Sequence, residues 1–146
     1  MNQRGQSLFE VVLALGLITT ICVGIVSLAV FSIRNATFSK NKTLAGRYVQ
    51  EATEWLRSER DTDFGLFETH AQASIWCLSG LNWDKIGVCG ESDVILGTSL
   101  LRDVNFSINL ISGKTVIEAS VKVSWYDAQG AHEVRSTTSF SDWRQR

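Results

Sequence analysis

The sequence predicts an α+β fold: a long N-terminal helix, apolar in its first half and amphipathic in its second, packed on a small antiparallel β-meander. Three observations predict it. Val11–Ile33 is a 23-residue stretch without a charge. Beyond it, Ala45, Tyr48, Val49, Ala52, Trp55 and Leu56 recur at three- and four-residue spacing, the period of one helix face. From Asp103 onward, apolar and polar residues alternate in runs separated by turn signals, the period of half-buried strands.

The first element is the apolar segment. About 20 apolar residues cross a bilayer core, so Val11–Ile33 is long enough to span a membrane. Leu8 and Phe9 extend its character, and Glu10 stands alone at its edge. A carboxylate in such a helix costs roughly 2.5–3.5 kcal/mol on insertion scales and is usually paired. The polar leader MNQRG contributes one basic side chain, Arg4. A secretory signal peptide has a shorter apolar core and a small-residue cleavage site, which this segment lacks. A signal anchor with a cytoplasmic amino terminus fits better. Against that orientation stand Arg34, Lys40, Lys42 and Arg47 on the far side. Gly16, Thr20 and Gly24 lie at i, i+4 and i+8, a small-residue face that allows close helix approach or marks where the helix loosens. Cys22 in this stretch behaves as a small hydrophobe.

The helix is expected to continue from Ser7 to about Arg60, on the order of 80 Å at 1.5 Å per residue, with no proline to kink it. Its polar half, 34–60, carries six basic and three acidic residues. Residues 61 to about 100 read as irregular, rich in glycine, with Trp76 and Trp83 packing the loop onto the sheet. Cys77 and Cys89 in this region form a disulfide if it lies outside the cytoplasm, or are two buried thiols. A strand over Asp103–Ile111 places Val104, Phe106, Ile108 and Leu110 on one face. A turn at Ser112-Gly113-Lys114 leads to a strand over Thr115–Tyr126, with Ile117, Ala119, Val121, Val123 and Trp125 on one face. A hairpin turn over Asp127–Gly130 precedes the last strand, Ala131–Phe140, and Trp143 closes the domain.

Charge excludes some functions. Residues 61–146 hold seven basic and eleven acidic side chains, and neither half is the dense basic patch of a nucleic-acid binder. His70, Cys77 and Cys89 offer three zinc ligands without a fourth at a familiar spacing, so no metal site is expected. Asp84, Glu91 and Asp93 are oxygen donors of the kind calcium takes, but three acids in a polar loop are usually solvated. Neither His70 nor His132 pairs with a nucleophile, no phosphate-cradling loop is present, and neither an enzyme nor a cofactor is expected.

The residues GQSLFEVVLALG, Gly5–Gly16, resemble the N-terminal signature of the type IV pilin and type II secretion pseudopilin superfamily. The match lies in the spacing: a glycine, a glutamate five residues later, then an unbroken apolar run. The element order is similar to the pilin architecture over the whole chain. The resemblance implies a leader of residues 1–5, a transmembrane and filament-core helix over 6–33, an amphipathic continuation over 34–60, and a variable loop and sheet over 61–146. It implies cleavage after Gly5 by a prepilin peptidase that also methylates the new amino terminus at Gln6. The family's commonest residue at that place is phenylalanine, where this chain has Gln6. Glu10 then falls at mature position five, where the family pairs it with a neighbouring subunit's amino terminus. The implied partners are other pilin copies, an inner-membrane assembly platform and the membrane; no nucleic acid is implied. The implied location is the inner membrane, with the C-terminal domain outside, and then a surface or envelope-spanning filament. A pilus subunit and a pseudopilin of a secretion or DNA-uptake system share these features. A non-polymerising anchored surface domain is the alternative of another class.

Overall fold

In a computed structural model, the chain is described over residues 4–111 and 113–142, with side chains from Leu8 onward. Its elements are α1 (Arg4–Thr62), α2 (Phe64–Ala71), β1 (Ile75–Cys77), β2 (Lys85–Ile86), β3 (Leu101–Ile111), β4 (Lys114–Asp127) and β5 (Gly130–Ser141). The strands form one antiparallel sheet in the order β2-β1-β3-β4-β5. This is the α+β fold expected, and the residues divide into two compact units, Met1–Ser39 and Lys40–Arg146.

α1 ends two residues past the expected Arg60. Asp63 then begins a second helix: extended at φ −152°, its carboxylate accepts the Leu66 N–H at 3.0 Å, the N-cap arrangement that satisfies an otherwise unpaired donor. The expectation of an irregular 61–100 is therefore corrected. The segment holds α2, two short strands and a bridge between Val94 and Leu101. The two- and three-residue strands have no alternation long enough to read, and β1 exists because β3 offers it an edge.

The meander follows the expected register. Val104, Ile117, Ala119, Val121, Val123, Trp125 and Phe140 are buried on one face of the sheet. From α1, Ala45, Val49, Ala52 and Leu56 are buried, while Tyr48 and Trp55 at the stripe's margins are half-buried. Ile108 and Leu110 share the inward parity of Val104 and Phe106 but are exposed, because β3 runs on past the covered part of the sheet. Phe67 of α2 sits at the centre, packed edge-on against Phe106 at 5.8 Å and Phe140 at 5.4 Å. Such aromatic pairs contribute about 0.5–1.5 kcal/mol beyond the area they bury.

Arg102 is buried at the start of β3. Its Nε donates to the Leu78 carbonyl at 2.8 Å, and Nη1 donates to Glu51 Oε2 at 2.8 Å and to the Tyr48 carbonyl at 3.3 Å. A buried guanidinium is tolerated only when it is paired and hydrogen-bonded in this way. The set ties the second half of α1 to β3 and to the chain after β1.

Candidate functional site

The site the sequence singles out is the apolar half of α1. From Leu8 to Ile33 every described side chain is exposed, and none of the most apolar window is buried within the protein. This is a helix long and apolar enough to cross a membrane, compatible with a single-pass anchor. Its backbone donors and acceptors are satisfied along the helix itself, which is what lipid requires.

Three hydroxyls in this stretch bond to the helix's own carbonyls. Thr19 and Thr20 both donate to the Gly16 carbonyl, at 2.9 and 2.8 Å, and Ser27 donates to the Val23 carbonyl at 2.9 Å. Each hydroxyl satisfied this way presents little polarity to its surroundings. A Cβ built on Gly16 or Gly24 would meet nothing within 4 Å. The packing of the described residues therefore does not demand glycine at either position of the Gly16–Thr20–Gly24 stripe. Glu10 is exposed on α1, and among the described residues no cation pairs with it. Gly5 and Gln6 lie on the α1 backbone, with side chains outside the described residues; Ser112 and Trp143 are outside them as well. Cys22 is a free, exposed cysteine.

In the other unit, Cys77 and Cys89 are joined as a disulfide with Cα atoms 4.8 Å apart. The loop it closes is tied down further: Asp103 accepts the Cys89 N–H at 2.6 Å. Asp103 lies within 4.8 Å of both sulfurs, but these are bonded to each other and are not thiolate ligands. His70 is taken up in packing, stacked on Trp83 at 4.5 Å, and its carbonyl accepts the Trp76 indole N–H at 2.8 Å. Trp83 donates to Glu59 at 2.8 Å and lies 4.7 Å from Trp55. The two tryptophans thus pack the loop onto the sheet, as expected, and Trp83 also packs it against α1.

Of the three loop acids, Asp93 is committed. Lys85 hydrogen-bonds its carboxylate and the Gly90 N–H donates at 2.7 Å, and together these hold its pKa below the ordinary value. At the β4–β5 turn, burial pushes the Asp127 carboxyl up. Hydrogen bonds from the Gln129 N–H at 2.8 Å, from His132 at 2.8 Å and from Trp125 outweigh it, so its pKa is lowered.

Sequence reasoning missed Arg102 because the strand was begun at Asp103. The parity of Val104 and Phe106, carried back one step, places Arg102 on the buried face and calls for an acidic partner, which Glu51 supplies. Compared with known proteins, this chain matches no family model, no curated protein and no solved structure.

Proposed function

We propose that this chain is a structural subunit of a type IV pilus-like filament, made as a membrane precursor and cleaved between Gly5 and Gln6. One observation carries the reading: an uncovered 23-residue apolar stretch of helix headed by a single carboxylate, Glu10, five residues after a glycine, on a chain whose other unit folds as a small disulfide-bonded sheet domain. The physics supports the spacing. Cleavage creates an α-amino group with an ordinary pKa near 8, a cation at neutral pH. The Glu10 carboxylate of one subunit neutralises the amino terminus of its neighbour as their helices pack. An unpaired charge in the apolar interior is expensive, so the pair sets register.

The reading is tested by intact mass and N-terminal sequence of the protein from membranes and from sheared surface material. A chain beginning at a methylated Gln6 in the sheared fraction supports it. A chain still beginning at Met1 and confined to membranes, in cells with active prepilin peptidase, makes it an ordinary anchored domain. Glu10→Ala is expected to be processed normally and to lose most of its incorporation into filaments; normal incorporation would sink the pairing role.

A further inference from the structure

We propose that one end of the second unit, formed by the turn between Val94 and Leu101 and the start of its helical segment, docks on an anionic phospholipid surface. Leu96 is the side chain that enters the lipid, and Lys40, Lys42 and Arg47 contact the phosphates. The inference rests on the membrane-inserted precursor of the proposed function, and on nothing about its polymerisation.

Leu96 is 95% exposed, more than any other large apolar side chain among the described residues. Its exposure is built in. Ile95 and Leu100 on either side are buried, the Ile95 N–H donates to the Leu100 carbonyl at 2.9 Å, and the Thr98 N–H closes the turn on the Ile95 carbonyl at 2.9 Å. The Thr98 hydroxyl pins the turn again, donating to the Ile95 carbonyl at 2.7 Å and accepting the Leu100 N–H at 3.1 Å. Gly97, at φ +77°, takes the left-handed place that this turn requires and most residues avoid. The result is a fixed turn holding a leucine outward, where a polar residue would normally sit. Tyr126, 79% exposed, borders an apolar groove of about 310 Å³ on one side of this turn. Lys40 and Leu44 line a second groove of about 290 Å³ on its other side, and Ser99 belongs to both.

The charge around this end selects the occupant. Residues 34–50 carry four basic side chains and no acidic one. Lys40, Lys42 and Arg47 are exposed, and among the described residues no carboxylate pairs with any of them. Of the acids, Glu51, one turn past Arg47, is taken by Arg102 and Asp93 by Lys85, while Glu91 at the Tyr126 groove and Asp127, hydrogen-bonded to His132, keep their charge. Lys40 lies seven positions after Ile33, a distance of at most about 25 Å even when fully extended. The apolar span therefore keeps this end within reach of the bilayer whatever angle the domain adopts. Basic side chains just beyond a span, an outward leucine and an exposed tyrosine are the set that an anionic interface attracts. The same cations, on the side of the span where positive charge is usually depleted, then have a use.

The test uses the full chain carrying Cys22→Ser and Leu96→Cys, labelled with an environment-sensitive dye. It is reconstituted in vesicles of phosphatidylcholine with phosphatidylglycerol, and of phosphatidylcholine alone. Flotation with the vesicles after alkaline extraction is read first; a chain that does not float ends both this inference and the anchored precursor. In a chain that floats, the dye at position 96 is expected to be blue-shifted and quenched by shallow spin-labelled lipid in the anionic vesicles. Each cation contributes about fivefold to binding an anionic surface, so Lys40→Gln with Lys42→Gln and Arg47→Gln is expected to weaken docking about a hundredfold and abolish the quenching. Dye at Leu110→Cys, about 30 Å further along β3, is expected to stay water-like. Water-like emission at position 96 in a floating chain overturns the inference and leaves the anchor standing. Shielding that persists in phosphatidylcholine alone and grows with protein density also overturns it, and assigns the turn to a second copy of the chain.

Discussion

α1 contains two stretches with the same backbone and opposite surroundings. From Leu8 to Ile33 its apolar side chains touch little, with exposures such as 72% at Leu8 and 61% at Ile21. From Ala45 to Leu56, four apolar side chains are at 3% or less. The difference is not one of helix-forming tendency. The second stretch spaces its apolar residues on one face and has a sheet to cover it, while the first is apolar on every face and finds nothing in its own chain to cover any of them. Apolar periodicity thus tells which solvent a helix is built for: one side protein and one side water, or an apolar surround throughout.

The comparison breaks most visibly in the second unit. All five tryptophans lie beyond residue 40, so indole fluorescence during urea unfolding of the full chain in detergent reports on that unit alone. Phe67→Ala is expected to lower its stability by about 3–5 kcal/mol, since it empties the place where α2, β3 and β5 meet. A loss below about 1 kcal/mol would mean that α2 is peripheral. Next comes the disulfide. Cys77→Ser with Cys89→Ser is expected to cost about 3 kcal/mol for a bridge of sequence separation 12. Chemical reduction of the natural chain should give the same shift.

A smaller effect is expected from acid. The pKa of Asp93 is lowered by Lys85 and the Gly90 N–H, so its tie contributes fully above the ordinary carboxylate value. The contribution fades as pH falls through the lowered folded value, and in acid Asp93 is protonated in folded and unfolded chains alike. Amide exchange at Gly90 should therefore speed up below about pH 4 more than exchange within β4. Asp93→Asn should remove that extra acid sensitivity. The smallest effect sharpens the contrast from the other side. Ile21→Ala removes as many carbons as many core substitutions, yet should leave the tryptophan-reported stability within about 0.5 kcal/mol. A larger change would show that the apolar stretch supports the domain's fold.

Much of this architecture was legible in periodicity. The long helix, the three meander strands and their turns came within three residues of their observed bounds, because each carries enough repeats of its own period to be read locally. The region after Asp61 did not yield, and the reason is particular. β1 has three residues and β2 two, and what holds them is pairing with β3 more than twenty residues away for β1, and with β1 for β2. α2 hid behind Asp61-Thr62-Asp63, where acids that suit a helix end also suit a helix start. The candidate site was the reverse case. A lone Glu10 at the head of a charge-free run is a statement about composition and spacing, complete before any folding.

The sequence by itself determined the elements that are periodic along the chain, and marked residues 11–33 as a run long and apolar enough to cross a membrane. Only the tertiary structure decided which residues of the loop region meet. It placed Arg102 among the carbonyls of Leu78 and Tyr48 and against Glu51, stacked His70 on Trp83, joined Cys77 to Cys89, and turned Leu96 outward between two buried neighbours. The physical reason is the range of the forces involved. Hydrophobic period and helix propensity act over one or two turns of chain. The pairing of a buried charge, a bridge or a stacked ring depends on segments brought together only when the whole sheet has formed.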